Sequence, residues 1–128
     1  MDKLLRKAQK STPEVTCDPE KNYISIIGES YPENSFEFYE PIMDWVEEYL
    51  EALENEETTV ELSLSYLNTS STKSVMCILD ILEEGYQEGK EITVNWYYDE
   101  DNELSYEMAE DFMDYLELPF NLHVKEET

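Results

Sequence analysis

Apolar and polar residues alternate from Thr58 to Leu67, which places Val60, Leu62, Leu64 and Tyr66 on one side of an extended chain. Beyond Val75 the apolar residues recur at helical spacing as far as Tyr86. Between the two patterns lies Asn68-Thr69-Ser70-Ser71-Thr72, a run of short polar side chains. The segment predicts a strand, a tight turn and a helix over 70–86, with Gly85 and Gly89 marking the helix end.

The rest of the chain divides the same way. Pro13 to Asp18 and Tyr23 to Ile27 read as two short strands joined by the turn residues Asp18-Pro19-Glu20-Lys21-Asn22. Gly28 to Asn34 reads as a loop. Tyr39, Ile42, Met43, Val46, Tyr49, Leu50 and Leu53 form a helical stripe within 35–53. Pro41 fits the first turn of a helix, so the regular helix is expected to begin near Tyr39 or Glu40. A strand over 91–98, an acidic loop over 99–102, a helix over 103–116 and a last strand over 120–125 complete the series. Residues 1–12 are expected to be a loosely held lead-in, and 13–128 a single domain. The order β-β-α-β-α-β-α-β predicts an α/β fold with one mixed, mostly parallel five-stranded sheet and helices packed on it.

Composition narrows the function. A chain of 128 residues suits one core, and a hydrophobic content of 41% is that of a folded protein despite the high charge. Acidic residues outnumber basic ones 32 to 8, for a formal charge of −24. That excludes the basic footprint of a nucleic-acid binder and disfavours an anionic membrane surface. Lys3, Arg6, Lys7 and Lys10 form the one basic cluster. The N-terminus has no apolar core of a signal peptide, and no apolar run approaches a membrane span. Cys17 and Cys77 lack metal-type spacing. Both are expected to be reduced and packed, in a cytoplasmic protein.

Three loops carry candidate chemistry. Hydroxyls at a helix start serve as caps, or as phosphate acceptors beside unpaired N–H groups. One cap accounts for one of the polar residues from Asn68 to Thr72 and leaves a surplus. The loop around Tyr31, Pro32, Glu33 and Asn34 also follows a strand and precedes a helix, with Asn34 or Ser35 as its cap. In a parallel sheet it belongs at the same carboxyl end as the Asn68–Ser71 turn. Asp99, Asp101, Glu103 and Glu110 partly mimic the spacing of a calcium-binding loop. Leu104, however, stands where that loop needs glycine. A solvated acidic wall of the same surface is the plainer reading, and a cation-binding module the alternative.

Enzyme motifs are missing. His123 is the single histidine, and there is neither a Gly-x-Ser-x-Gly elbow nor a phosphate-cradling glycine loop. The sequence therefore predicts neither catalysis nor a bound cofactor or metal. Trp45, Tyr97 and Tyr98 look exposed and are read as core or rim residues.

Four motifs together resemble one family. They are Gly28-Glu-Ser-Tyr-Pro-Glu-Asn34, Phe38-Tyr39-Glu-Pro41 to Trp45, Tyr66-Leu-Asn68-Thr69-Ser70-Ser71-Thr-Lys73, and Val94-Asn-Trp96-Tyr97-Tyr98-Asp-Glu-Asp101. Over about 12–120 the chain is similar to the SiaC family of bacterial regulatory phosphoproteins, which resembles the STAS domains of anti-sigma factor antagonists. The resemblance implies a STAS-like fold and a phospho-acceptor at Thr69, with Ser70 and Ser71 as alternatives. Asn68 and Ser71 stand where STAS antagonists usually carry an acidic residue and a glycine, which agrees with SiaC. The family further implies a serine/threonine kinase of the histidine-kinase-like ATPase type and an opposing PP2C-type phosphatase. The unphosphorylated form is expected to bind and activate a diguanylate cyclase and so promote biofilm. An anti-sigma-antagonist type of partner switching is the related alternative. The expected docking face comprises Tyr31, Pro32, Glu33, Asn34, Asn68, Thr69, Ser70, Ser71, Lys73, Asp99 and Asp101.

Overall fold

In a computed structural model that describes residues 1–125, the chain forms one six-stranded sheet and three helices. The strands are β1 (Leu4–Arg6), β2 (Glu14–Asp18), β3 (Tyr23–Ser30), β4 (Thr58–Leu67), β5 (Ile92–Tyr98) and β6 (Phe120–Val124). The helices are α1 (Ser35–Ala52), α2 (Thr69–Gln87) and α3 (Glu103–Met113). The strands lie side by side in sequence order. The β1–β2 and β2–β3 pairs are antiparallel; from β3 to β6 every pairing is parallel. The mixed, mostly parallel α/β sheet expected from the pattern is therefore present, with one strand more than the five expected.

The additional strand is β1, inside the lead-in. Its three residues are too few to show alternation. Leu4 pairs with Cys17 at the sheet edge. Trp45 Nε1 donates to the Asp2 carbonyl at 2.8 Å, and Lys3 meets Asp18 at 3.7 Å, so α1 and β2 both hold the segment.

The helix expected near Tyr39 starts four residues earlier, at Ser35, and Pro41 lies inside it. Asn34 supplies the cap, its Oδ1 accepting from the Glu37 N–H at 3.1 Å. Pro41 removes one interior hydrogen bond. The helix persists because Tyr39, Ile42, Trp45, Val46, Tyr49 and Leu50 are all buried against the sheet and α2. Trp45 is core, while Tyr97 and Tyr98 are half-buried. Cys77, expected to be packed, is exposed on α2; Cys17 is buried, and burial pushes its thiol up to about 12. Gly85 does not end α2. It lies within the helix, where an added Cβ would come 3.1 Å from Leu50 Cδ1. Gly89, at φ +103°, makes the left-handed exit. The third helix ends at Met113, short of the expected 116.

Strand β3 runs through the expected loop as far as Ser30. Gly28, at φ +131°, sits where its register with β4 shifts, so that Ser65 is an extra residue between Leu64 and Tyr66. The shift sends Leu67 into the core and leaves Tyr66 exposed, on the face opposite Val60, Leu62 and Leu64. The pairing of β4 with β5 ends at Leu62–Trp96. Beyond it the freed Leu64 and Ser65 carbonyls accept from Ser105 Oγ at 2.8 Å and Asn102 Nδ2 at 3.0 Å. The first turn of α3 thus takes the place of a strand neighbour at the carboxyl end of β4.

Candidate functional site: the hydroxyl-rich start of the second helix

All three helices start at the carboxyl end of the strand before them, and each start is capped by asparagine. Asn34 accepts from Glu37 N at 3.1 Å, Asn68 from Ser71 N at 2.9 Å and Asn102 from Ser105 N at 3.0 Å. Of the two caps considered for α1, Asn34 is therefore the one used, which frees the Ser35 hydroxyl. At α2 the cap is Asn68, so no hydroxyl from Thr69 to Thr72 is needed for it.

Those hydroxyls divide by position. Thr72 Oγ1 donates back to the Asn68 carbonyl at 3.0 Å. Ser71 points inward, with an exposure of 0%. Its Oγ lies 2.9 Å from Ser30 Oγ and 3.0 Å from Ser35 Oγ. Ser70 Oγ is 2.7 Å from Ser35 Oγ and donates to Asn68 Oδ1 at 3.3 Å. Tyr39 closes the series, its OH donating to Ser30 Oγ at 2.7 Å. One head-to-tail direction, from Tyr39 through Ser30, Ser71, Ser35 and Ser70 to Asn68, lets each of the four serines donate once and accept once. Burial raises the Tyr39 phenol to about 12, and the bond to Ser30 only partly opposes this, so it stays a donor. Thr69 is exposed, and among the described residues its hydroxyl alone of those from 69 to 72 engages no partner.

The loop at 31–34 adjoins this turn. Asn68 N donates to the Ser30 carbonyl at 3.0 Å, and Asn68 Nδ2 reaches the Pro32 carbonyl at 3.4 Å. The Tyr31 and Tyr66 rings meet edge to face with centroids 6.2 Å apart. Glu33, Asn34 and Lys73 are exposed beside them, and Phe36 is 62% exposed on the first turn of α1. The expected neighbourhood of these two loops is present. Asp99 and Asp101 are also exposed at this end of the sheet, where their loop is tied to β4 through Asn102. Among the described residues no three carboxylate, histidine or cysteine side chains gather as metal ligands, so Asp99, Asp101 and Glu103 form no cation cage.

Sequence reasoning missed Ser30, Ser35 and Tyr39 as partners of the turn, and Tyr66 as an exposed ring. The one available signal was that an asparagine is followed closely by serine at both helix starts, at 34–35 and within 68–71. Ser71, expected on the surface, is core because the first turn of α2 rolls it toward β3.

A one-sided α/β sheet whose helix starts gather hydroxyls and exposed aromatic rings at one end is the frame of a small regulatory domain. The chain belongs to the SiaC family of regulatory phosphoproteins, whose family model matches residues 6–125. It is 42% identical over 118 residues to the uncharacterized protein PA14_02130 of Pseudomonas aeruginosa, covering 92% of this chain and 93% of that one. The solved structure of SiaC of Pseudomonas aeruginosa superposes with a TM-score of 0.90 at 38% identity, over 98% of this chain and all (100%) of that one. SiaC in a structure of diguanylate cyclase SiaD in complex with its activator SiaC, from the same organism, gives a TM-score of 0.90 at 40% identity, over 95% and 99% of the two chains. Among the described residues no helix is long and apolar enough to cross a membrane.

Proposed function

We propose that this chain is a phosphorylation-controlled activator of a diguanylate cyclase, working in the cytoplasm, with Thr69 as the controlling residue. Family membership and the cyclase-bound relative support the partner. The observation that carries the choice of residue is the division of hydroxyls at the α2 start. Ser71 is sealed in the core, Ser70 is held by Ser35 and Asn68, and Thr69 faces solvent unengaged.

A phosphate on Thr69 adds about −1.5 to −2 charges at the first turn of α2. The start of α1 lies alongside, through the Ser35–Ser70 contact. Two positive helix ends therefore flank the modified side chain and stabilise it where it stands. The fold needs no second conformation. Bulk and charge on a face holding Tyr31, Tyr66, Phe36 and Asn34 are enough to expel a partner by repulsion and desolvation. The unmodified form docks through that face and through Asp99 and Asp101; the modified form does not. The opposing enzymes are a serine/threonine kinase of the histidine-kinase-like ATPase type and a PP2C-type phosphatase.

Incubation with that kinase and ATP, followed by mass spectrometry, is expected to place one phosphate on Thr69. Thr69→Ala is expected to keep cyclase activation and become insensitive to the kinase, and Thr69→Glu to lose activation. Phosphate elsewhere, or full activation by Thr69→Glu, would refute the assignment.

A further inference from the structure

Strands β3 to β6 form a parallel sheet, an arrangement that normally carries helices on both faces. Here the buried residues of α1, α2 and α3 join one cluster with Ile24, Ile26, Val60, Leu62, Val94 and Trp96, on one face only. The alternate positions Ser25, Ile27, Glu61, Ser63, Asn95 and Tyr97 face the other way, and Ile27 is 39% exposed.

The centre of that open face is built. Glu61 accepts the Tyr23 phenol on Oε1 and the Tyr97 phenol on Oε2, each at 2.7 Å. The Tyr97 ring is stacked on His123 with centroids 5.0 Å apart. Both tyrosines are thereby held as donors, and the carboxylate is oriented between them. Two residues along β4, Ser63 is 5% exposed and its Oγ has no hydrogen-bond partner among the described residues. A buried, unpaired hydroxyl is costly and rare. Ile27, Glu61, Ser63, Tyr97 and Lys125 line a depression of about 350 Å³ there. The one ion pair among the described residues is Lys3–Asp18, so Glu61 and Lys125 border the same space unpaired.

We propose that this depression binds a small zwitterion with an apolar body, of the α-amino-acid type. The ammonium group lies between the Glu61 carboxylate and the Ser63 hydroxyl. The carboxylate lies at Lys125 Nζ, and the side chain rests on Ile27 and the ring of Tyr97. A simple cation would leave Lys125 opposed, and a simple anion would meet Glu61 in a protein of formal charge −24. A zwitterion engages both charges and gives the orphaned hydroxyl its partner. The site is on the face opposite the helices and does not depend on the role of Thr69.

The test is calorimetric titration of the full chain with each proteinogenic L-amino acid in turn, up to millimolar concentration. At least one with an apolar side chain is expected to bind saturably. Its N-acetyl and its amide derivative should each bind about tenfold more weakly or worse, as should the ligand itself to Glu61→Gln and to Lys125→Ala. Ser63→Ala should weaken binding while leaving the unliganded melting temperature unchanged or higher, because it deletes an unpaired hydroxyl. No heat from any amino acid, or binding indifferent to Glu61→Gln and Lys125→Ala, would overturn the proposal.

Discussion

The hydroxyls of Ser35 and Ser70 stand 2.7 Å apart, one in the first turn of α1 and the other in the first turn of α2. Residues 35 positions apart in sequence thereby bring two helix starts side by side. Their asparagine side chains do the capping, Asn34 at Glu37 N and Asn68 at Ser71 N, so the serines between them are free to bond to each other.

The caps and the free threonine should separate in a stability measurement. Asn68→Ala removes the acceptor of Ser71 N and the donor to Pro32, and is expected to cost about 1–2 kcal/mol. Thr69→Ala breaks no hydrogen bond and should stay within about 0.5 kcal/mol. Urea denaturation of the two variants checks both values.

The hydroxyl chain predicts a larger effect at its middle than at its exposed end. Ser71→Ala takes one partner from each of two buried hydroxyls, Ser30 and Ser35, leaving them only Tyr39 and Ser70, and is expected to cost about 1–3 kcal/mol. Ser70→Ala leaves its partner Ser35 still bonded to Ser71 and should cost about 1 kcal/mol or less. Equal losses for the two would show that the chain does not act as a connected unit.

Strand and helix order was readable because each long element announces its period. The stripe from Tyr39 to Leu50 is buried as read apart from the half-buried Met43, and Val60, Leu62 and Leu64 are all buried. What escaped were local events that leave no periodic trace. Strand β1 is three residues long, Pro41 argued for a late helix start that Asn34 overrules, and the extra residue Ser65 reverses the faces after Leu64. At the site, the clustering of loops followed from the sheet's polarity. The sorting of Thr69, Ser70 and Ser71 did not, because it depends on which hydroxyl the helix rolls toward Ser30 and Ser35.

Gly85 offers a test of close packing between α1 and α2. Alanine there gains about 1 kcal/mol of helix propensity. Its Cβ, however, would stand 3.1 Å from Leu50 Cδ1 and 3.4 Å from Ile92 Cδ1, among residues that are themselves buried. Overpacking of about 1–3 kcal/mol is expected to win, giving a net loss of about 1 kcal/mol in thermal or urea unfolding. A stabilised Gly85→Ala protein would mean that Leu50 has room to turn aside.

The alkaline limb of the stability profile should report Tyr39. Its folded-state value of about 12 lies above the ordinary 10.0, chiefly through burial, with the Ser30 bond opposing. A raised folded-state value gives a contribution fully present below the unfolded value and lost as pH rises through the folded one. Stability is therefore expected to hold to about pH 10 and to fall between about pH 10 and 12. Tyr39→Phe should flatten that fall, read as the urea midpoint against pH, at the expense of a lower plateau because Ser30 loses its donor.

The short edge strand has a consequence for handling the protein. Strand β1 covers β2, whose Val15 and Cys17 are buried, and brings Arg6 with Lys3 and Lys7 flanking it. An outermost strand that is brief and rich in positive charge is a poor template for another chain to pair with. Removing the first seven residues would bare the longer β2, which carries no positive charge, as the new boundary of the sheet. A shortened chain is expected to self-associate through that boundary even though its regulatory end is untouched, so light scattering of a truncated protein would reveal the first residues as a guard against aggregation.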